Sequence, residues 1–239
     1  ELSIEPVPQG VLVLSTDITQ RKRNELELQR VTRALRTLSE CNQTLVRVKS
    51  EKELLENICK VIVEFGGYRF AWVGYAEDDA DKTIRPVAYA GFKPGFFDDM
   101  VITWGEDSRR RCVTGTSIID RKTVIARDVL VNEEYEYCSK MAHMLGYEAS
   151  IALPLTINST VLGALTICAV EPDAFDMEEE KLLSELAADL SYGINAIRTA
   201  KAKEKATTQI EKLSRFPEEN PNPVMRVLTD GTVIYTNAP

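Results

Sequence analysis

Histidine is almost absent from this chain. Among 239 residues there is one, His143, in the string Met-Ala-His-Met-Leu-Gly. A single imidazole excludes a His-rich metal site, and no HExxH occurs. A phosphoacceptor histidine is normally followed by Glu or Asp with a proline soon after, and His143 has neither neighbour. Also missing are GxxxxGK[ST] for a nucleoside triphosphate, GxGxxG for a dinucleotide, the GxSxG elbow of hydrolases and Gly-Gly-Asp-Glu-Phe of cyclases. Positive charge is in the minority: 29 Lys and Arg against 37 Asp and Glu leave a net charge of −8 and a pI near 5.0. That removes the electrostatic case for nucleic acid or for direct contact with an anionic membrane. No apolar run approaches the roughly eighteen residues needed to span a bilayer, and no signal peptide is visible. The five cysteines (41, 59, 112, 138 and 168) are odd in number and lack CxxC spacing. They read as thiols in a reducing compartment, so a cytoplasmic location is expected.

What is present is an ordinary globular composition, 44% hydrophobic. A middle segment of about 125 residues is long enough to bury its own core. Val-Leu-Val-Leu-Ser-Thr-Asp-Ile at 11–18 reads as a strand, with Asp17 or Thr19 placed to cap a following helix. From 19 to 49 the pattern is helical. Leu28, Leu35 and Asn42 fall at heptad position a, and Val31, Leu38 and Leu45 at d. A buried Asn at a favours a parallel dimer in one register, so these six are the dimer-interface candidates. An amphipathic helix packed on its own domain is the alternative.

Ser50-Glu-Lys-Glu53 is a capping box that opens a helix ending at Gly66-Gly67. Strands follow at 68–77 and 83–90 around the acidic turn Glu77–Asp81, which reads as solvated surface. An irregular stretch, 91–117, holds Phe92, Phe96, Phe97 and Trp104; Thr123–Ala126 reads as a short strand and 132–145 as a helix. Alternating Ile151, Leu153, Leu155 and Ile157, the turn Asn158-Ser-Thr160 and the apolar run 161–170 make a hairpin. Asp176-Met-Glu-Glu179 reads as a second capping box, opening a helix with an apolar stripe to about residue 198 and a polar continuation to Leu213. Phe216-Pro-Glu-Glu-Asn-Pro-Asn-Pro223 is expected to be non-helical, and 224–237 to be a hairpin turning at Asp230-Gly231.

Several strings are specific in combination: Gly-Tyr-Arg-Phe-Ala-Trp-Val-Gly-Tyr at 67–75, Thr-Gly-Thr at 114–116, Gly-Tyr-Glu-Ala-Ser-Ile-Ala-Leu-Pro-Leu at 146–155, Gly163-Ala-Leu and Glu171-Pro-Asp-Ala-Phe-Asp176. In this order they resemble the GAF domains of microbial signalling proteins, over about residues 50–198. Asp17-Ile-Thr-Gln-Arg-Lys22 is similar to the closing motif of PAS domains, and 224–237 resembles a PAS opening hairpin. The organisation expected is a PAS end at 1–18, a signalling and dimerisation helix at 19–49, a GAF domain at 50–176, its last helix and a linker helix at 177–215, and a PAS start at 216–239. On this reading the chain is a segment of a longer protein.

The resemblance implies an α+β fold, a central antiparallel sheet with helices on one face and a covered ligand pocket on the other, flanked by long N- and C-terminal helices. It implies a non-enzymatic sensory and relay module of a signal-transduction protein, expected to be a sensor histidine kinase of a two-component system. The module would act as a homodimer through its flanking helices, next to PAS and output domains, with a small-molecule ligand possible. The pocket candidates it implies are Trp72, Trp104, Cys112, Thr114, Thr116, Tyr135, Cys138, His143, Tyr147 and Ser150. Similar domains read Ser-Arg-Gly-x-Gly-Pro-Thr-Gly-Thr where this chain has Ser108-Arg-Arg-Arg-Cys-Val-Thr-Gly-Thr116, so Cys112-Val113 replace Gly-Pro. That puts a thiol at the pocket mouth, and the loss of glycine suggests an altered loop. Arg109–Arg111 are either anion ligands or solvated charges. No cofactor is assigned. Haem on His143, with Cys112 or Cys138 as a thiol partner, is the alternative, and a thiol-dependent methionine sulfoxide reductase a further rival. A linked bilin lacks its Cys-His dipeptide. Cys59 and Cys168 read as small core hydrophobes.

Overall fold

Two apolar periods, one of two residues and one near 3.6, account for the sheet and for the helices that cover it. In the computed structural model, residues 2–8, 10–93, 95–98, 100–105, 112–130, 136–219, 222 and 224–237 are described. The chain divides into two units, residues 1–193 and 194–239.

In the first unit, β1 (Leu2–Val7) and β2 (Gly10–Ser15) form a separate antiparallel hairpin. The remaining elements are α1 (Thr19–Arg47), α2 (Glu51–Glu64), β3 (Phe70–Ala76), β4 (Ile84–Ala90), α3 (Val113–Asp120), β5 (Val124–Ala126), α4 (Glu136–Leu145), β6 (Ala149–Ile157) and β7 (Thr160–Ala169). Next, α5 (Met177–Glu219) runs from the first unit into the second. The five-stranded sheet has the order β4-β3-β7-β6-β5, every pairing antiparallel. This is the α+β architecture expected.

Strand alternation sorts the sheet into two faces. Ile151, Leu153 and Leu155 of β6 and Leu165 and Ile167 of β7 are fully buried, as are Leu54, Leu55, Ile58 and Ile62 of α2 and Leu183 and Leu186 of α5. The opposite set lies in cross-strand rows: Phe70 beside Cys168 beside Ser150, and Trp72 beside Thr166 beside Ala152. Gly163 is required where β7 pairs with β3, because a Cβ there would stand 2.0 Å from the Gly74 carbonyl oxygen.

The helical face carries a buried ion pair. Arg33 of α1 donates to Glu179 Oε1 from Nη2 at 2.8 Å and from Nε at 3.3 Å, and the Tyr68 hydroxyl donates to the same oxygen at 2.6 Å. Glu179 is fully buried, and its Oε2 has no hydrogen-bond partner among the described residues. The Arg33 guanidinium lies 4.6 Å from the Tyr68 ring centre, and Tyr68 stacks on Phe175 at 6.0 Å. Burial pushes the Glu179 carboxyl above its ordinary value against the lowering pull of Tyr68 and Arg33. The second capping box is therefore corrected. Asp176 does accept from the Glu178 and Glu179 amides, at 3.0 and 2.8 Å, but the Glu179 side chain turns inward to the ion pair. At α2 the Ser50 hydroxyl accepts from the Glu53 amide as expected.

The heptad candidates on α1 divide. Its buried face is Ala34, Thr37 and Cys41. Val31, Leu38 and Leu45 are half-buried, while Leu28, Leu35 and Asn42 are exposed. A Cβ on Gly193 of α5 would stand 2.5 Å from Leu45 Cδ2, so Leu45 packs within its own domain. Only the a row is left open.

In the second unit, α5 continues to Glu219 and so passes Pro217. The expectation that 216–223 is non-helical is corrected for 216–219: proline there removes one backbone hydrogen bond in the last turns, and the preceding turns are intact. β8 (Met225–Val227) and β9 (Val233–Thr236) form a hairpin turning at Asp230-Gly231. Asn237 closes it, its Oδ1 accepting from the Val224 amide at 2.6 Å. No described helix is long and apolar enough to cross a membrane.

Candidate functional site

The second sheet face is not covered by long helices. It is closed by the 92–105 segment, α3 and α4, which leave a cavity of about 40 Å³, room for roughly three waters. Its walls are Trp72, Phe92, Phe96, Phe97, Ile102, Cys112, Val113, Thr114, Met141, Leu145, Tyr147, Ser150, Thr166 and Cys168. None of these described residues carries a formal charge.

One side is an aromatic stack. Phe70 lies flat on Phe92 at 4.4 Å, Phe92 on Phe96 at 4.7 Å, and Trp72 meets Phe97 at 5.2 Å. Tyr147 stands edge-on to Phe70 at 6.2 Å. Such offset and edge contacts suit the ring quadrupoles and hold the wall without a regular element. The other side is hydroxyl and sulfur. Thr114 and Thr166 share a buried hydrogen bond of 2.8 Å.

Thr-Gly-Thr now has a physical reading. Thr114 anchors α3 to β7 through Thr166, and the Thr116 hydroxyl donates to the Cys112 carbonyl at 3.1 Å. Gly115 lets the helix lie against the 103–104 backbone, where a Cβ would come within 2.7 Å of the Thr103 oxygen. Cys112, the N-cap of α3, has φ −117° and ψ 161°. This extended backbone needs no glycine, and the loop that leads into it lies outside the described residues. Val113 occupies the first helical position, where proline is also tolerated.

Of the sequence candidates, Trp72, Cys112, Thr114, Tyr147 and Ser150 line the cavity. Trp104 does not. Its indole N–H donates to the Glu77 carbonyl at 3.0 Å, and Lys82 lies 4.7 Å from its ring, so it fastens the 100–105 segment to the β3–β4 turn. Thr116 is turned to the α3 backbone. His143 is exposed on α4, away from the cavity walls, which corrects its placement as a pocket residue. Tyr135 and Arg109–Arg111 lie outside the described residues; Cys138 lies in α4, its side chain outside them.

The residues present do not fit haem. The lone imidazole is exposed, and about 40 Å³ cannot take a macrocycle without opening the walls. No group of three or more His, Cys, Asp or Glu able to hold a metal ion exists among the described residues.

Sequence reasoning missed the lining roles of Phe92, Phe96, Phe97, Met141, Thr166 and Cys168. For Thr166 and Cys168 a signal existed: the β7 run is apolar on both faces, and only strand register says which residues face the cavity. Cys168 is a cavity wall, not only a core hydrophobe. Cys41, Cys59, Cys112 and Cys168 are all thiols. Burial pushes Cys41 and Cys168 up to about 12, and Cys59 higher. Cys41 of α1 adds to the rise of the Cys59 thiol of α2.

The family model of the GAF domain matches residues 48–195. The chain belongs to the GAF domain family. GAF domains are common signalling and sensory modules. Among solved structures, a free methionine-R-sulfoxide reductase from Neisseria meningitidis is 20% identical with a TM-score of 0.58, covering 70% of this chain and 91% of that one. The GAF domain of a phosphoenolpyruvate-protein phosphotransferase from Coxiella burnetii is 19% identical with a TM-score of 0.58, covering 72% and 98%. The A. aeolicus nlh2 GAF domain is 16% identical with a TM-score of 0.54, covering 69% and 97%. No curated protein matches the chain. These likenesses establish a GAF-like fold. They also correct the expectation that the chain is no enzyme, since the same fold serves reductases of free methionine sulfoxide.

Proposed function

We propose that this GAF domain is the sensory part of a larger signalling protein, binding a small uncharged molecule in the cavity and passing the change to α1 and α5. The observation that carries this is the cavity itself: aromatic and hydroxyl walls, no formal charge among the described lining residues, and closure by short elements that can shift more easily than a packed helical layer. α1 and α5 are joined to the start of β3 by the Arg33–Glu179–Tyr68 contacts, and β3 continues into Phe70 and Trp72 beside the cavity. A change in the walls therefore has a packed route to both helices.

The strings similar to PAS ends favour a tandem PAS–GAF–PAS order, and with it a sensor histidine kinase in the cytoplasm. The exposed row Leu28, Leu35 and Asn42 favours a second copy of this chain on α1. Leu35→Glu is expected to dissociate such a dimer without unfolding the domain; sedimentation showing a dimer in both forms would remove this part of the reading.

Ligand binding is tested by thermal unfolding against a panel of small uncharged aromatic and aliphatic molecules. A ligand at a hundredfold excess over its Kd should add about 2.7 kcal/mol, several degrees in Tm, and Ser150→Phe should abolish the gain. An equal gain in both forms, or none in either, rejects the cavity as the site.

A second reading has its own support. Cys112 and Cys168 line one cavity, and thiols are what a reduction of methionine sulfoxide would require. Turnover of free methionine sulfoxide with a dithiol reductant, lost in Cys112→Ser, is the expected sign of it. Turnover unaffected by that change rules it out.

A further inference from the structure

Three sulfur side chains from three different elements line the same cavity: Cys112 at the N-cap of α3, Met141 in α4 and Cys168 in β7. Thr114, two residues beyond Cys112, is hydrogen-bonded to Thr166, two residues before Cys168, at 2.8 Å, so the start of α3 that carries Cys112 is tied to the stretch of β7 that carries Cys168. The remaining walls are aromatic, aliphatic or hydroxyl. An occupant must be small, because the space is about 40 Å³. Among the described walls no charge stands ready to offset one on the occupant, so an occupant that ends up neutral in the site fits best. It gains most if it is attracted to sulfur.

Common cations fail one of these conditions. Magnesium and calcium take oxygen ligands, chiefly carboxylates and carbonyls. Zinc takes three or four thiolate, imidazole or carboxylate donors, and no such group exists among the described residues. A soft monovalent ion meets all three conditions, because thiolate and thioether are its preferred donors and its single charge is cancelled by one thiolate.

We propose that the cavity binds Cu(I) through Cys112, Cys168 and Met141. This rests on the reading of the cavity as the ligand site of the domain, with an ion neutralised by one thiolate in place of an uncharged molecule. On binding, one thiol loses its proton to solvent and its sulfur bonds the ion, while the second thiol and the Met141 thioether donate lone pairs (Cu⁺ + RSH → Cu–SR + H⁺). Nothing is oxidised or reduced, and the filled site is neutral like its walls. The ion takes the place of the thiol proton. Affinity therefore rises with pH.

The test is an anaerobic titration of the intact chain with Cu(I) in competition with bathocuproine disulfonate. About one ion per chain should be held, with about one proton released per ion. X-ray absorption should show sulfur neighbours only, and Trp fluorescence should fall, Trp72 being in the wall. Cys112→Ser and Cys168→Ser should each weaken binding by at least about 100-fold and Met141→Leu by about 10-fold. Cys41→Ala and Cys59→Ala should leave it unchanged. Retention in a Cys112→Ser/Cys168→Ser double variant overturns the proposal, as do nitrogen or oxygen neighbours, which would place the ion at the exposed His143. If the cysteine variants do not fold, the absorption spectrum of the unaltered chain decides. Should no copper be held while small uncharged molecules still raise Tm through the cavity, the Cu(I) assignment falls and the ligand-site reading stands. If neither binds, both fall.

Discussion

Ile151, Leu153 and Leu155 of β6 are fully buried on one face of the sheet, while on the other Ser150 lines a small cavity and Ala152 joins the cluster beside it. The helical side is closed by long elements with apolar stripes, and a charge pair, Arg33 with Glu179, is buried among them. The cavity side is closed by α3, α4 and the irregular 92–105 segment, and its polar atoms are neutral hydroxyls and thiols. A single sheet thus carries a face that resists change and a face with room for it. A sensory domain needs both, because a shift on the second is useful only if the first transmits it whole.

The comparison breaks most visibly at Phe175. It is fully buried under Tyr68, whereas Phe97 on the other face is half-buried. Phe175→Ala should cost about 3–5 kcal/mol in urea unfolding, and Phe97→Ala only about 1–2 kcal/mol. Equal losses would mean that the two faces are equally rigid. Next in size is Glu179→Ala, expected to cost about 3 kcal/mol because it strands Arg33 and Tyr68 together. A loss under half of that would mean the pair joins α1 to α5 only loosely. Thr166→Val should cost about 1–2 kcal/mol by leaving the Thr114 hydroxyl without its buried partner; an unchanged urea midpoint would show that Thr114 finds another.

The smallest effect is a pH slope. The Glu179 carboxyl is raised in the fold, so the native state binds its proton more tightly than the unfolded chain does. Stability from this group is fully present below its ordinary value of 4.5 and declines as pH rises through the raised one. Measured against Glu179→Gln, which cannot titrate, the advantage of the unaltered chain should shrink over that interval. A pH-independent difference would show that Tyr68 and Arg33 hold the carboxyl at its ordinary value.

Much of the fold was legible in the sequence because it is written in local chemistry. Ser50 and Glu53 mark the α2 start, Gly66-Gly67 its end, and the alternation 151–157 a strand with one side inward. The site was legible only where a motif is also an anchor, as with Thr114. Phe92, Phe96 and Phe97 sit in a stretch without periodicity, so nothing local says that they stack over Phe70 and Trp72. Glu179 misled because its spacing from Asp176 fits a capping box, yet Arg33, 146 residues away in the chain, offers it a stronger partner. His143 drew attention by being alone, and rarity says nothing about which side of a helix faces in.

Arg33 lies beside Glu179, and Leu45 lies beside Gly193. Those pairs advance together, twelve residues along α1 and fourteen along α5, roughly 20 Å of helix in each. The polypeptide therefore comes in and goes out travelling the same way, shoulder to shoulder. A lever hinged like this does not reverse its stroke. On the proposed relay, a push along the incoming rod would reach the outgoing one in the same sense, and the domain would serve as an in-line coupler.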